Sequence, residues 1–438
     1  MTSCVRDFFD FIKSSPSPYH TAESACCILA DNGYTELFED NEFDIKPGGK
    51  YYCRRGGSAV IAFRVPTCKI EGFGITASHG DSPALRLRSS DGWSSDGYFH
   101  VAAERYGGMY YSSWLDRPLE LCGRAIVREG GEYRLRLFRS GKGMCVIPSV
   151  AIHLNSKANK EQTLNPAVDL VPIIDTGDVA VTVRSEIARL LDVPEEQIVS
   201  TDGVLSIPAE PELIGARESL IVSPRLDDLM CAYTMLAGFV RSGAHESTGT
   251  VPVYVLYDGE EIGSSIREGA ESDLLPSLLR RIIAAVPGTP DLAQMMNSSI
   301  VISADNAHAV HPNHPEFSDK TAAPHLNGGV TLKHSARRSY TTDGLSGAIV
   351  QEICARAGVP MQHYENRGDL VGGSTLGAIA MSKLPCLFAD IGASQLAMHS
   401  AVETAGADDV EYLVRFAEAF YASTIAYHGD VLKIGGQI

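Results

Sequence analysis

No stretch of this 438-residue chain approaches the roughly 18–20 unbroken apolar residues that a membrane-spanning helix requires. Positive charge is also scarce: 37 Lys and Arg stand against 54 Asp and Glu, a formal charge of −17. A surface this acidic repels phosphate, so neither nucleic acid nor an anionic membrane is expected as a partner. The ten cysteines form no CxxC pair, and the adjacent Cys26 and Cys27 suit neither a zinc knuckle nor an ordinary disulfide. Scattered thiols in a long chain fit a reducing compartment, where they act as small core residues, and a cytoplasmic location is expected. The N-terminal apolar stretch carries Asp7 and Asp10, which breaks a secretory h-region. The spacing of Val5, Phe8, Phe9 and Ile12 predicts an amphipathic helix instead. Also lacking are a P-loop and a G-x-S-x-G nucleophile elbow, the nearest approach being Gly344-Leu-Ser346-Gly347. The glycines between 368 and 377 do not keep dinucleotide spacing, although a helix start near Ser374 would offer an anionic group a site.

The composition includes 44% hydrophobic residues, enough for a large core, which excludes disorder and a disulfide miniprotein. Length allows about three domains of ~150 residues, or two larger ones. Residues 1–82 give helical patterns and then strand-like runs at 58–65 and 72–78. After about 220, apolar runs at 251–257, 300–303 and 384–389 alternate with helical patterns, notably one following Asp227 and another from about Asp408. Between them, 84–88 and 133–138 alternate polar and apolar residues, as half-solvated antiparallel strands do. The expected architecture is α/β. A discontinuous catalytic domain (1–83 and 220–438), with a mixed central sheet flanked by helices, would be interrupted by a β-rich insert (84–219).

Metal-ligating side chains recur just past the apolar runs. They are His79 in His79-Gly80-Asp81, Asp227 before a helix, Glu260 and Glu261 after Tyr257, Asp305 after Ser303, and His399 after the strand candidate ending at Asp390. Each alone has a bland reading: a loop histidine, a helix N-cap at Asp227 or Asp228, a solvated Glu-Glu turn. Together, two histidines and three carboxylates at strand ends form a mixed N/O set suited to Zn²⁺ or Mn²⁺, whereas Ca²⁺ takes oxygen alone. If Glu260 and Glu261 lie on an extended segment they point opposite ways, one to a metal and one to its water. Two metals about 3.5–4 Å apart, bridged by a carboxylate and a water, generate hydroxide near neutral pH. A free glutamate beside them can move the proton. Asp81 is placed to accept the second N–H of His79 and fix its tautomer.

The ordered blocks Ser15-Pro-Ser-Pro-Tyr-His20, Ala77-Ser-His79-Gly-Asp81, Tyr106-Gly-Gly, Trp114-Leu-Asp-Arg-Pro-Leu, Ile147-Pro-Ser-Val-Ala-Ile-His153, Ser223-Pro-Arg-Leu-Asp227, Asp258-Gly-Glu-Glu261, Ser303-Ala-Asp305-Asn-Ala-His308 and Gln395-Leu-Ala-Met-His399 run nearly the whole length. Through them the chain resembles the aspartyl aminopeptidase family of dinuclear zinc metallopeptidases. The resemblance implies that His79 and Asp305 ligate one metal and Glu261 and His399 the other, with Asp227 bridging. It makes Glu260 the general base and Asp81 the residue that orients His79. His153, in the insert, would reach a neighbouring subunit's site and help hold the substrate carbonyl. Lys333, His308, Arg367 and Ser374 would lie at the substrate pocket. The implied cofactor is two divalent ions, zinc first, with manganese or cobalt as alternatives. The implied assembly is a homododecamer built from dimers through the insert, acting on peptides. Asp228 stands where relatives commonly have Asn, and the 367–374 loop departs from theirs. The departures leave two possibilities for the first substrate residue, Asp or Glu against neutral or basic. The rival functions are another dinuclear amidohydrolase, such as a carboxypeptidase or deacylase, and a non-catalytic oligomeric binding protein.

Overall fold

A computed structural model describes residues 2–161, 163–177, 181–244, 248–370, 372–428 and 430–436. Nine strands form its central sheet: β1 (Thr35–Glu36), β2 (Lys50–Arg55), β3 (Ala59–Arg64), β4 (Gly72–His79), β5 (Thr250–Tyr257), β6 (Ile300–Ala304), β7 (Val330–His334), β8 (Met361–Glu365) and β9 (Leu387–Gly392). Their order is β1-β2-β3-β5-β4-β6-β9-β7-β8. The middle is parallel, with β5, β4, β6 and β9 side by side, while β3 joins β5 and β7 joins β9 antiparallel. The sheet is therefore mixed, and the α/β expectation holds.

Alternation along each strand divides the sheet's side chains between two cores. Val60, Ala62, Tyr254, Leu256, Ile300 and Ile302 pack on one face with the Ser3–Ser14, Pro18–Asp31, Leu226–Arg241, Gly344–Ala357 and Ala407–Tyr421 helices. Ile61, Phe63, Val253, Val255 and Val301 pack on the other with the Leu274–Ala285 helix. Burial on both faces is why these strands read as continuous apolar runs rather than alternating ones. Val5, Phe8, Phe9 and Ile12 are all buried, as their helical spacing predicts. The expected run at 384–389 forms its strand slightly later, at Leu387–Gly392.

Six antiparallel strands between Ala84 and Ser206 close into a barrel, in the order Ile198–Ser206, Ala84–Ser95, Tyr98–Tyr106, Ile173–Thr176, Glu132–Val146, Pro118–Glu129. Leu85, Val101, Leu121, Val127, Phe138 and Leu205 belong to its own core. Alternation within 133–138 predicts that its apolar members face inward, yet Tyr133 and Leu135 are 61% and 62% exposed and only Phe138 is buried. The arginines between them lie along the same wall, Arg136 reaching Glu129 at 3.1 Å, so this stretch offers solvent both charge and apolar surface. A smaller sheet, in the order Glu212–Ile214, Leu220–Ser223, Glu403–Gly406, Ser394–Leu396, Ala307–His308, sits beside the central one. Among the described residues no helix is long and apolar enough to cross a membrane.

Candidate metal centre

Adjacent parallel strands end together, so their carboxyl-terminal residues share one cleft, as in other α/β sheets. His79 closes β4 and pairs in register with Tyr257, the end of β5. Asp258 to Glu261 follow β5, and Asp305 follows β6. The smaller sheet brings in the rest: Asp227 comes soon after Leu220–Ser223, and His399 lies between Ser394–Leu396 and Glu403–Gly406.

Five of the expected side chains meet in two groups. His79, Asp227 and Asp305 offer ligand atoms within 4.8 Å of one another, and so do Asp227, Glu261 and His399. Asp227 belongs to both. His79 Nε2 lies 3.6 Å from Asp227 Oδ1, and His399 Nε2 lies 3.3 Å from Asp227 Oδ2 and 3.4 Å from Glu261 Oε1. The opposite ring nitrogens are already engaged. His79 Nδ1 donates to the Asp81 carbonyl oxygen at 3.1 Å, and His399 Nδ1 to that of Gly108, also at 3.1 Å. A backbone carbonyl can only accept, so Nδ1 carries a proton in both rings and Nε2 is the nitrogen each turns into the site, bare once a cation takes the place of its proton.

Asp227 Oδ1 and Glu261 Oε1 are buried without a hydrogen-bond partner. An orphaned buried carboxylate oxygen is costly unless something cationic meets it. Together with the mixed N/O donors, these atoms fit divalent transition ions of the zinc type. The electrostatics agree. Burial pushes Glu260 up to about 8, with the charges of Asp305, Asp81 and Asp227 adding to it against His79. Burial resists protonation of His399, but its hydrogen bond to Asp227 and the charge of Glu261 carry it up to about 10. Carboxylates crowded in this way hold protons that a divalent cation would displace.

Glu260 and Glu261 do not lie on an extended segment, contrary to the expectation from their adjacency. Residues Glu260–Ile262 form one 3₁₀ turn, entered through Gly259 at φ +78°. A Cβ at Gly259 would stand 2.7 Å from Ile266 Cδ1, so both the backbone and the space require glycine. The division of the two side chains is set by this turn and by Asp81. Fully buried, Asp81 accepts the Glu260 N–H on Oδ1 at 3.2 Å and the Glu261 N–H on Oδ2 at 3.1 Å. Its Oδ2 also accepts the Tyr106 hydroxyl at 2.8 Å, and its Oδ1 lies 3.4 Å from His79 Nδ1. Asp81 thus reaches His79 mainly through its backbone carbonyl and spends its carboxylate on the two glutamates. Nor does the Asp227 side chain cap the helix: its carboxylate is turned to His79 and His399, and its N–H donates to Glu403.

Four residues assigned to the substrate pocket stand differently from one another. Lys333 is 1% exposed, with Nζ donating to the Asp305 carbonyl at 2.7 Å and lying 3.7 Å from Asp305 Oδ1. Burial inside the sheet therefore makes it a support for Asp305 instead of a free cation. His308 is exposed at the edge of the smaller sheet, its ring edge-on to Tyr364 at 6.0 Å. Arg367 is paired on its own loop with Asp369, at 2.6 and 2.8 Å, and also donates to the Glu316 carbonyl. Ser374 is exposed and does not start a helix; Thr375 precedes a helix of only five residues and bonds Asp390. His153 lies on an exposed loop past the Glu132–Val146 strand, between Ile152 at 48% and Leu154 at 83% exposure. Among the described residues it bonds none of the metal-site side chains.

Sequence reasoning attaches no role to Tyr106, Gly107, Gly108 or Glu403. The first three carry the barrel's edge against the site; a Cβ on Gly107, at φ +75°, would stand 3.1 Å from both Glu261 Cβ and Oε2. A signal for Glu403 exists, because it is one carboxylate inside the otherwise uncharged stretch 400–407.

Known proteins resemble this chain in sequence and fold. The profile of the family described as aminopeptidase I zinc metalloprotease (M18) matches residues 11–421. A probable M18 family aminopeptidase 2 of Clostridium novyi (strain NT) is 36% identical over 429 residues, covering 95% of this chain and 98% of its own. Among solved structures, a chain from the cryo-EM structure of the Ape4 and Nbr1 complex is similar with a TM-score of 0.93 at 31% identity, covering 96% of this chain and 85% of that one. The S. cerevisiae mApe1 dodecamer follows with a TM-score of 0.84 at 28% identity, covering 96% of each chain. The chain accordingly belongs to the M18 family of zinc aminopeptidases, hydrolases that act on peptide bonds.

Proposed function

We propose that this protein removes the unblocked N-terminal residue from peptides at a two-metal site. His79 and Asp305 would hold one ion, Glu261 and His399 the other, and Asp227 both. The observation that carries the proposal is the pair of three-residue ligand groups sharing Asp227, with Glu260 on the adjoining turn. Divalent ions bound there, most readily zinc, would polarise the scissile carbonyl and make a water acidic near neutral pH. Glu260, held by its backbone N–H on Asp81, would serve as the base that accepts a proton from the attacking water and returns it to the leaving amine. The surrounding carboxylates attract the free α-ammonium of the substrate. Lys333 is tied to Asp305 and Arg367 to Asp369, so neither cation is free for an Asp or Glu side chain. The recognised group in this proposal is therefore the amine, and an acidic first residue is one outcome of a substrate panel.

Residues 84–219 would form the insert through which copies associate. Support comes from exposed apolar side chains around His153, namely Val150, Ile152 and Leu154, and from Tyr133 and Leu135 on the barrel wall. A second copy would cover this loop and receive His153 at its substrate carbonyl, within dimers that build a dodecamer. Among the described residues no disulfide joins any of the ten cysteines, which supports a reducing compartment such as the cytoplasm.

One co-expression experiment tests both parts. Glu260→Gln is expected to keep metal and lose most turnover, and His153→Ala to lose activity while folded. Co-expressed, the pair should recover about a quarter of wild-type turnover, since random dimers give each mixed pair one intact site. A Glu260→Gln enzyme of near-normal rate removes the proposed base, and no recovery in verified mixed oligomers removes the sharing.

A further inference from the structure

Glu403 stands in the smaller sheet, paired across from Ser223, and is 2% exposed. Its carboxylate is divided between two elements of the site. Oε2 accepts the backbone N–H of Asp227 at 3.0 Å, and Oε1 accepts the backbone N–H of His399 at 2.7 Å. Glu403 lies 176 positions along the chain from Asp227, and the side chains of Asp227 and His399 meet at 3.3 Å. His399 adopts a left-handed backbone at φ +64°, which a non-glycine residue holds only when its surroundings impose it. The main chains before the two ligands are otherwise anchored differently: Asp227 follows the Leu220–Ser223 strand, whereas His399 lies in a loop whose carbonyl accepts the Tyr110 N–H at 2.9 Å.

We propose that Glu403 is a positioning residue that sets the separation of Asp227 and His399, and with it the geometry of the metal position these two share with Glu261. The inference rests on the two-metal reading of the site. A carboxylate that bites two backbone amides fixes both at once, as Asp81 does for Glu260 and Glu261. The His79–Asp227–Asp305 group is less dependent on it, because the Asp305 backbone is held separately by Lys333 and by the Ile391 carbonyl at 2.9 Å. Losing the Glu403 bridge should therefore weaken one metal position more than the other.

The test compares wild type with Glu403→Gln and Glu403→Asp. Glutamine keeps the volume but presents an NH₂ to one backbone N–H; aspartate keeps the charge but is one methylene too short to span both. Zinc is titrated into the metal-free proteins by calorimetry, and the visible absorption of Co²⁺-loaded samples is recorded. Wild type should bind two ions. Both variants should keep one site within about threefold of wild type and lose roughly 10–100-fold at the other, the range known for outer-shell partners of metal ligands. The Co²⁺ spectrum should change, and kcat should fall more than KM rises. Folded variants with wild-type stoichiometry, affinities and spectrum overturn the proposal. So does loss of fold in both metal-free variants, because Glu403 would then serve the fold at large. Wild type that binds a single ion would instead sink the two-metal reading itself, which separates the two failures.

Discussion

Asp81→Asn should disable the enzyme without displacing a single metal ligand. The carboxylate is fully buried and acts only as an acceptor, serving Tyr106 at 2.8 Å, Glu261 N–H at 3.1 Å and Glu260 N–H at 3.2 Å, with His79 Nδ1 at 3.4 Å. Asparagine has one acceptor oxygen and one donor nitrogen on the same frame. Its better orientation keeps the oxygen on Tyr106 and Glu261, which turns its NH₂ against the Glu260 N–H and the His79 ring. One charge-assisted hydrogen bond worth about 1.5–3 kcal/mol is lost, and a buried donor is left unmet at about 1–3 kcal/mol. If about 3 kcal/mol of this falls on the placement of Glu260 during reaction, kcat/KM drops roughly 10²-fold at 1.36 kcal/mol per decade. Steady-state kinetics on a single-residue fluorogenic substrate reads the loss, with zinc content and circular dichroism confirming a loaded, folded protein. Most of it should appear in kcat. A folded, metal-loaded variant within threefold of wild type would refute the assignment of Asp81 as the clamp on the Glu260 turn.

Lys333→Met keeps the stem but removes the ammonium from the Asp305 carbonyl, so zinc affinity should fall about 10–100-fold at the site containing Asp305; calorimetry that shows both sites unchanged would contradict this. His20 has its Nδ1 2.7 Å from Ser17 Oγ, and burial, helped by Arg139 and Arg225, pulls its pKa down to about 4. Its neutral ring is favoured in the fold, so its contribution to stability is whole above about pH 6.5 and is lost as pH falls from there through about 4. In metal-free protein, His20→Asn should narrow the melting-temperature difference between pH 7.5 and pH 5, and an undiminished difference by calorimetry would refute the role.

Much of the site is legible in the sequence because parallel strands impose a simple rule: the residues just past an apolar run face the cleft. His79, Asp258 and Asp305 obey it directly, each at the end of β4, β5 or β6. Asp227 and His399 reach the same cleft from a second sheet whose strands are only three or four residues long, too short to carry a period. The geometry of Glu260 and Glu261 is hidden because a 3₁₀ turn and an extended pair look alike until Gly259 is known to be left-handed. Lys333 resembles a pocket cation because nothing local shows that β7 lies between β9 and β8 deep in the sheet, where its ammonium bonds the Asp305 and Asn306 carbonyls. Tyr106 stays hidden for the same reason, its partner Asp81 lying 25 positions away, and the lone carboxylate of Glu403 does not show that it also reaches Asp227, 176 positions away. Short motifs expose ligands, but the groups that hold ligands in place are distributed by topology.

The central claim is that the cleft recognises a free amino terminus beside a metal pair. It is tested most directly by presenting the zinc-loaded protein with one peptide in two forms, free and N-acetylated, and following the products by mass spectrometry. The free peptide should lose single residues from its amino end, the acetylated peptide should persist, and Glu260→Gln should abolish the difference by leaving both intact. Equal cleavage of the two forms, or release of residues from the carboxyl end, would contradict the account.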